Sequence, residues 1–538
     1  MFGIFALRQR LLSKGVGGRW LQLHRGATTQ GPVRSQTPSH KFSSGPEAAS
    51  TQQQDAVKPF SALPQPLGGV PSFLRVLVAW WTGGLSEEGR LKTHERIGEA
   101  FNAYGPIWRN KIGSFDMVHL CDPEAVRELF KAEGRYPERL DVTPWRLYRE
   151  DAGKDTAILL SNDKRWHRNR TVVSRPMLRP QNVARFVPTV DDVASDMVRR
   201  ILSVRAGADG TEVPDLESEL FKWALESISA VLFNERMGLL RDNIPQDARD
   251  FITSMHNVLT TTNDVMIPDA RIQKLLNTRA WRKHQQAWST VFRIGEKVID
   301  RQLCRAEERQ AQSDEDDGHT DFLSIIKNSE KLTKGEIYAN TIELMGAAID
   351  TTSTTLLWTL YELSRQPDLQ DKLHQEVTKV IGQGKVVTWD HLKDLHLMKA
   401  VIKETLRLYP VAFVMTRVVQ QDTVLRGYEI PAKTTVMVSI YHMARDPNMY
   451  KDPEQFRPER WLRNSEDYVE THPYAYLPFG FGTRSCIGRR VAETNLQVLL
   501  AKIIQRFVVK QREPRVVPAV TKTILLPAEK MNICFIER

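Results

Sequence analysis

A single cysteine, set in a glycine-punctuated loop that runs straight into a helical stretch, constrains this chain more than any other feature. The loop is Pro478-Phe479-Gly480-Phe481-Gly482-Thr483-Arg484-Ser485-Cys486-Ile487-Gly488-Arg489-Arg490, and helical periodicity follows from Val491 to Phe507. A helix N-terminus stabilises negative charge, and amides freed by Gly482 and Gly488 are able to point at a thiolate sulfur. Such a sulfur suits an anionic metal ligand. Arg484, two residues earlier, offers a planar fork to a carboxylate. A lone cysteine in a turn is usually a small buried side chain, but the surrounding string Phe-x-x-Gly-x-Arg-x-Cys-x-Gly argues for a ligand here.

At 538 residues, length alone suggests about three domains. No Gly/Ser-rich or Pro-rich linker divides the chain after residue 70, and no internal repeat is visible, so one large helical domain is the reading. A hydrophobic fraction of 41% is ample for its core. The four cysteines, Cys121, Cys304, Cys486 and Cys534, are too scattered for a disulfide framework and fit a reducing compartment. No C-x-x-C or Cys/His cluster suggests zinc.

The net charge of +10 is unevenly spread. Residues 1–46 hold Arg8, Arg10, Lys14, Arg19, Arg25, Arg34 and Lys41 and no acidic residue, which leaves +3 for the remainder. With Leu, Phe and Trp spaced among the basic residues, this arm reads as a mitochondrial transit peptide rather than a disordered tail or a nucleic-acid arm. Residues 47–70 read as a flexible, polar lead-in to a domain spanning 71–538. Phe73 to Trp81 form an apolar segment too short to span a bilayer. Its Trp80 and Trp81 tilt it toward an interfacial anchor.

Residues 105–122 alternate like a small β-hairpin around Gly113. From about residue 123 the period is helical as far as Pro410, interrupted near 140–160, at 206–210, at 260–271 and at 306–320. The last interruption, with Asp314 to Asp317, reads as a solvated loop. Short β-like runs follow at Val418–Leu425 and Thr435–Ile440.

Several spacings carry chemistry. Glu404 and Arg407 sit at i and i+3 on one helical face. In Gly346-Ala347-Ala348-Ile349-Asp350-Thr351-Thr352 an acid stands beside a hydroxyl, a proton-relay arrangement, and the threonines are able to loosen the helix by bonding back one turn. Trp166 and Arg170 share a face at i and i+4. Lys399 and Lys403 do the same and make one basic face. No G-x-G-x-x-G after a strand, no P-loop and no flavin domain are evident, so electrons for any redox chemistry come from a partner.

Taken in order, these strings resemble the cytochrome P450 family: the Cys486 loop, Lys403–Pro410 with its Glu-x-x-Arg, Phe456-Arg457-Pro458-Glu459-Arg460-Trp461, the Asp350-Thr351 segment, and Trp166–Arg170. The segment around Asp350 departs from the family at Ala348, where glycine is usual. The resemblance implies a mainly α fold with a small β portion, and haem b ligated by Cys486. It implies Phe479 in the haem loop, and Trp166, Arg170, Arg417 and Arg484 toward the haem propionates. Glu404, Arg407 and Arg460 would support the loop, and Asp350 with Thr351 would deliver protons. It is to the mitochondrial class that Lys399, Lys403, Arg489 and Arg490 are similar, as a docking face for a two-iron ferredoxin.

Trp145–Arg149, Phe221–Ser227 and Trp281–His284 resemble the mitochondrial sterol, steroid and secosteroid hydroxylases. An apolar substrate would then meet Trp145, Met255, Met266, Leu344, Ala347, Val411, Phe413, Met415 and Leu526. The implied activity is hydroxylation with dioxygen at the matrix face of the inner membrane, bound peripherally and with no role for nucleic acid. Two other readings stay open. A haem-thiolate isomerase or dehydratase would need no dioxygen, and a non-catalytic haem sensor would not keep the Asp350-Thr351 pair.

Overall fold

The computed structural model describes residues 57–66, 86–112, 115–207, 209–267, 269–312 and 322–538. The basic arm, the segment Phe73 to Trp81, Gly113 and the acidic stretch Asp314 to Asp317 fall outside the described residues. Residues 57–66, read from sequence as part of a flexible lead-in, are instead tied to the body. The Lys58 amide donates to Gly427 O at 2.8 Å, Glu429 N donates to Lys58 O at 2.9 Å, and Leu63 is buried.

Helices run α1 Glu87–Leu91, α2 Thr93–Tyr104, α3 Pro123–Lys131, α4 Thr143–Ala152, α5 Asp163–Leu178, α6 Pro180–Val204, α7 Leu216–Phe233, α8 Gln246–Met266 and α9 Ala270–Leu275. They continue with α10 Arg279–Gln312, α11 Phe322–Lys327, α12 Lys334–Ser364, α13 Pro367–Val380, α14 Trp389–Asp394, α15 His396–Leu408, α16 Ile440–Met443 and α17 Arg489–Arg506. The strands are β1 Ile107–Ile112, β2 Phe115–Leu120, β3 Val414–Val418, β4 Thr423–Leu425, β5 Tyr428–Ile430, β6 Thr435–Ser439, β7 Phe507–Gln511, β8 Ala519–Thr521, β9 Leu525–Pro527 and β10 Ile533–Glu537.

Helices dominate and the β portion is small, as the sequence implied. One sheet has the order β1-β2-β6-β3, with β2 and β6 parallel and the other pairs antiparallel. The hairpin read at 105–122 is β1 with β2. The strands after Phe507 carry no clear alternation and were not anticipated. β3 ends at Val418, so the run read as Val418–Leu425 is a strand end, a turn and then β4.

α12 is the axis of the fold. Thr333 caps it: Glu336 N–H donates to Thr333 Oγ1 at 3.1 Å and Thr333 N–H donates to Glu336 Oε2 at 3.0 Å, a reciprocal capping box. Its residues are buried on nearly every side, as expected of a helix packed all round by others. α7 and α10 pack along it, with α15 and α17 on the side nearer the cysteine loop. The expected loosening at Thr351 does not occur, and α12 is unbroken from Lys334 to Ser364. The hydroxyls of Thr351, Thr355 and Thr359 bond back to the carbonyls of Ala347, Thr351 and Thr355 at 2.7–2.8 Å, adding to the helical ladder without displacing it.

α8 likewise runs through the interruption expected at 260–271, as far as Met266. Thr260, Thr261 and Thr262 bond back one turn, and the helix lies along α10. The loop expected at 140–160 contains α4, and α10 carries on to Gln312.

Candidate active site

The cysteine loop folds back on itself before α17. Gly480 and Gly482 stand at φ of +67° and +68°, a region that favours glycine. They turn the chain so that Cys486 N–H donates to Phe479 O at 2.7 Å. The Gly488 amide is aimed at the Cys486 sulfur; of the two glycines expected to point an amide there, Gly482 serves the turn instead. Burial pushes the Cys486 thiol up, and the Gly488 amide, Arg139 and Arg170 oppose that shift. Cys486 is accessible to a water-sized sphere although protein surrounds it closely. Its side chain therefore faces an interior space and not the outer surface.

Beside the sulfur stands a cluster of arginines. Arg484 is 2% exposed, lies 3.9 Å over the Trp166 ring, and donates through Nε to Pro137 O at 2.7 Å. Its Nη2 donates to Ser161 O at 3.0 Å and Asn162 Oδ1 at 2.7 Å. Its buried Nη1 has no partner among the described residues. Arg139 donates to the Arg484 carbonyl, and Arg417 donates to Glu133 and to Thr416 O. Burial, reinforced by Arg139, Arg417 and Arg170, pushes Arg484 down to about 9. Burial and Arg417 push Arg139 down to about 10. Glu133 and Glu138 offset only part of this charge.

A buried, unpartnered guanidinium N–H in a crowd of arginines suits an anionic ligand, because a carboxylate restores the lost bond and relieves the repulsion. Trp166 enters as the platform under Arg484. Arg139 was missed from sequence; its only signal is its place two residues after Pro137, in the irregular stretch ahead of α4.

Between Ile337 and Leu363 of α12, only Ala347, Ala348 and Thr351 are not buried. They lie at i, i+1 and i+4, one short face open to interior space. Asp350 points elsewhere: it is 1% exposed, and its Oδ1 meets His256 Nδ1 of α8 at 2.8 Å.

Behind the cysteine loop, Glu404 is wholly buried with five donors on its two oxygens. Arg407 contributes Nε and Nη2 at 2.9 and 2.8 Å, Arg460 Nε at 3.0 Å, Arg457 N–H at 2.9 Å and Trp461 Nε1 at 2.9 Å. Lys403 stands exposed on the same helix, 5.6 Å over the Trp461 ring, and Arg489 pairs with Glu493 at 3.0 Å. Loss of water to the protein packed around their ammonium groups lowers both Lys399 and Lys403 from the ordinary lysine range, although Lys403 stays exposed at the surface. Arg490 is exposed.

The apolar candidates are dispersed. Trp145, Met255 and Leu344 belong to the main core, where Trp145 Nε1 donates to Thr262 at 2.8 Å. Phe413 packs with Leu525, and Met415 packs on the sheet. Val411 O accepts from Leu525 N at 2.9 Å, next to buried Leu526, and Met266 ends α8. A surface cavity of about 490 Å³ lined by Tyr148, Lys154, Phe292 and Glu296 includes none of these residues.

A thiolate donor facing interior space, a helix N-terminal amide aimed at it and arginines short of an anion define a cradle for haem ligated through cysteine. The family model described as Cytochrome P450 matches residues 71–535, and the chain belongs to that family. It is 36% identical over 484 residues to the mitochondrial cholesterol side-chain cleavage enzyme of Oncorhynchus mykiss, covering 89% of this chain and 91% of that one. It is 33% identical over 477 residues to the mitochondrial 1,25-dihydroxyvitamin D(3) 24-hydroxylase of Rattus norvegicus, covering 88% and 89%. The mitochondrial sterol 26-hydroxylase of the same animal is 33% identical over 539 residues, covering 99% and 98%. The protein is thus a cytochrome P450 monooxygenase whose cofactor is haem with a cysteine thiolate ligand.

Proposed function

We propose that this monooxygenase hydroxylates a sterol, steroid or secosteroid-like substrate in mitochondria, with electrons from a two-iron ferredoxin. The observation that carries the reading is identity of 33–36% along most of the chain to enzymes named for cholesterol, vitamin D and sterol oxidation. The basic arm at residues 1–46 agrees with a transit peptide.

Cys486 ligates the iron. Arg484, with its free Nη1, Arg170 and Arg417 take the haem carboxylates, Trp166 holds Arg484 flat, and Phe479 walls the loop. The Glu404–Arg407–Arg460 node holds that loop from behind. Bound haem supplies the activation of dioxygen, to which the thiolate contributes electron density. Asp350 and Thr351 move protons to that face. The apolar substrate lies against Ala347 and its neighbours. Lys399, Lys403, Arg489 and Arg490 receive an acidic ferredoxin, with electrostatic attraction speeding encounter.

Among the described residues no helix is long and apolar enough to cross a membrane. A peripheral attachment at the matrix face draws support from Ile272, Leu275 and Leu276 at α9, exposed by 49%, 83% and 68%. Arg271, Arg279, Arg282 and Lys283, all exposed, lie close to them in sequence, a pattern that suits an anionic membrane surface.

The test is a titration of the ferric enzyme with cholesterol, vitamin D secosteroids and a fatty acid. A shift toward the high-spin spectrum with a sterol or secosteroid is expected, and a shift with the fatty acid alone overturns the substrate class. Reversing Lys399 and Lys403 to Glu at low salt is expected to slow ferredoxin-driven reduction about 10-fold or more; an unchanged rate places the docking face elsewhere.

A further inference from the structure

We propose that His256 is the residue that passes protons from solvent to Asp350, so that α8 and α12 together make the proton supply of the site. The inference rests on the reading of Asp350 and Thr351 as the delivery pair.

Asp350 is buried, and its two oxygens differ. Oδ1 is bound to His256 Nδ1 at 2.8 Å, whereas Oδ2 is buried with no partner among the described residues. A carboxyl bonded on one oxygen and free on the other is placed to take a proton at the first and release it at the second. Asp350 precedes Thr351, whose side chain lies on the short accessible face of α12. The His256 side chain is 30% exposed, so the ring joins a buried acid to solvent. The Phe221 ring, 5.5 Å away on α7, packs against it.

Glu217 on α7 interacts with both members of the pair, and it in turn feels Asp215, just before α7, and Lys522 in the turn between β8 and β9. Burial, with Asp350 and Asp215, raises Glu217, while His256 and Lys522 oppose that shift. A plain clamp between α8 and α12 would satisfy both carboxylate oxygens, as Glu404 is satisfied. It would have no use for a free Oδ2.

The transfer balances without electrons. The proton on His256 Nδ1 passes to Asp350 Oδ1, leaving neutral imidazole and a neutral carboxyl. The carboxyl turns about Cβ–Cγ and releases that proton toward the Thr351 hydroxyl, returning to carboxylate. The imidazole keeps its proton on Nε2; the ring turns its bare Nδ1 to solvent, takes a proton there from a hydronium ion or a buffer acid, and turns back to Asp350. Because His256 acts through Asp350, it is a positioning and proton-supplying residue.

The test uses haem-loaded enzyme reduced by ferredoxin with no substrate added, following dioxygen consumption in H2O and D2O between about pH 6 and 8. His256→Asn keeps an amide donor for Asp350 but carries no proton. It is expected to slow consumption about 10-fold, enlarge the solvent isotope effect and flatten the pH profile. Nitrogen-15 spectra of the reduced, carbon monoxide-bound enzyme give a readout independent of turnover, and a proton on His256 Nδ1 is expected. Wild-type consumption and isotope effect in His256→Asn overturn the proposal, as does a bare Nδ1 across this range. If Asp350→Asn and Thr351→Ala are also without effect, the delivery-pair reading falls. If those two slow consumption and His256→Asn does not, only the role of His256 falls.

Discussion

Two buried carboxylates, Glu404 on α15 and Asp350 on α12, are equally hidden from water and differently held. Glu404 receives five donors, four of them from Arg407, Arg460 and Trp461 side chains. Asp350 has one partner and one oxygen left over. An unsatisfied buried oxygen costs about 1–3 kcal/mol, which is wasteful in a scaffold and useful in a group that must change protonation. On the function proposed above, the Glu404 side stays fixed and the Asp350 side reacts.

Breaking the fixed side should have the larger effect. Arg407→Leu takes two of the five donors and one of the two charged partners from buried Glu404, and removes the bonds Arg407 makes to the carbonyls of Ala444, Pro453 and Gln455. It is expected to cost about 3–5 kcal/mol of stability, seen as a lower denaturation midpoint together with poor haem retention. Near-normal stability would mean that the node is not what fixes the loop. Arg484→Lys comes next. It keeps the charge but loses the planar stack on Trp166 and the fork that makes three hydrogen bonds, at about 1.5–3 kcal/mol. The measure is faster haem transfer to a haem-free globin with the fold intact by circular dichroism.

The same contrast explains what was legible in the sequence. The fixed side is coded locally: Phe479 to Gly488 is one loop, Glu404 and Arg407 lie one turn apart, and Arg460 sits in a short Pro-bounded string. Its geometry follows from spacing. The reactive side is assembled from residues far apart in the chain, since His256 lies 94 positions from Asp350; Arg139, which reaches the fixed loop from 345 positions before Arg484, escaped notice for the same reason. No periodicity announces such partners. Propensity also misled where tertiary packing overrode it. The stretch 260–271 read as an interruption and Thr351 with Thr352 as a loosening, yet α8 runs on to Met266 and α12 is unbroken, with the hydroxyls of Thr260, Thr261, Thr262 and Thr351 bonded to the preceding turn. The strands after Phe507 are three to five residues each, too short for alternation to show.

Acid should loosen the reactive side. His284 is buried between α8 and α10, its Nδ1 at 2.8 Å from Thr261 and its Nε2 accepting from Trp288 Nε1 at 3.2 Å. Burial, then Arg149, pushes it down to about 3, against roughly 6.5 when unfolded. Below the unfolded value the unfolded chain binds a proton that the folded chain refuses, so stability is full above about pH 6.5 and is lost as pH falls toward 3. At pH 5.5 the loss is about 1.4 kcal/mol. His284→Gln should remove that increment from the difference between denaturation midpoints at pH 7.5 and 5.5, and an equal acid response in the variant would assign it elsewhere.

The smallest effect sharpens the comparison most, because it asks how tightly α8 is seated on α12. A Cβ added at Gly346 would come within 2.1 Å of the Met255 Cε and 2.7 Å of its sulfur, both at the flexible end of a side chain and not in backbone. Alanine improves helix propensity by up to about 1 kcal/mol over glycine, while moving an unbranched thioether out of the way costs about as much. Gly346→Ala is therefore expected to leave stability within about 1 kcal/mol of wild type. Met255 lies one residue before His256, so the displaced side chain shifts the helix that carries the imidazole, and the pH dependence of dioxygen consumption should change while the denaturation midpoint hardly moves. A variant that lost several kcal/mol would show that α8 is clamped to α12 as rigidly as Arg407 is clamped to Glu404, and the distinction between a fixed side and a reactive side would not stand.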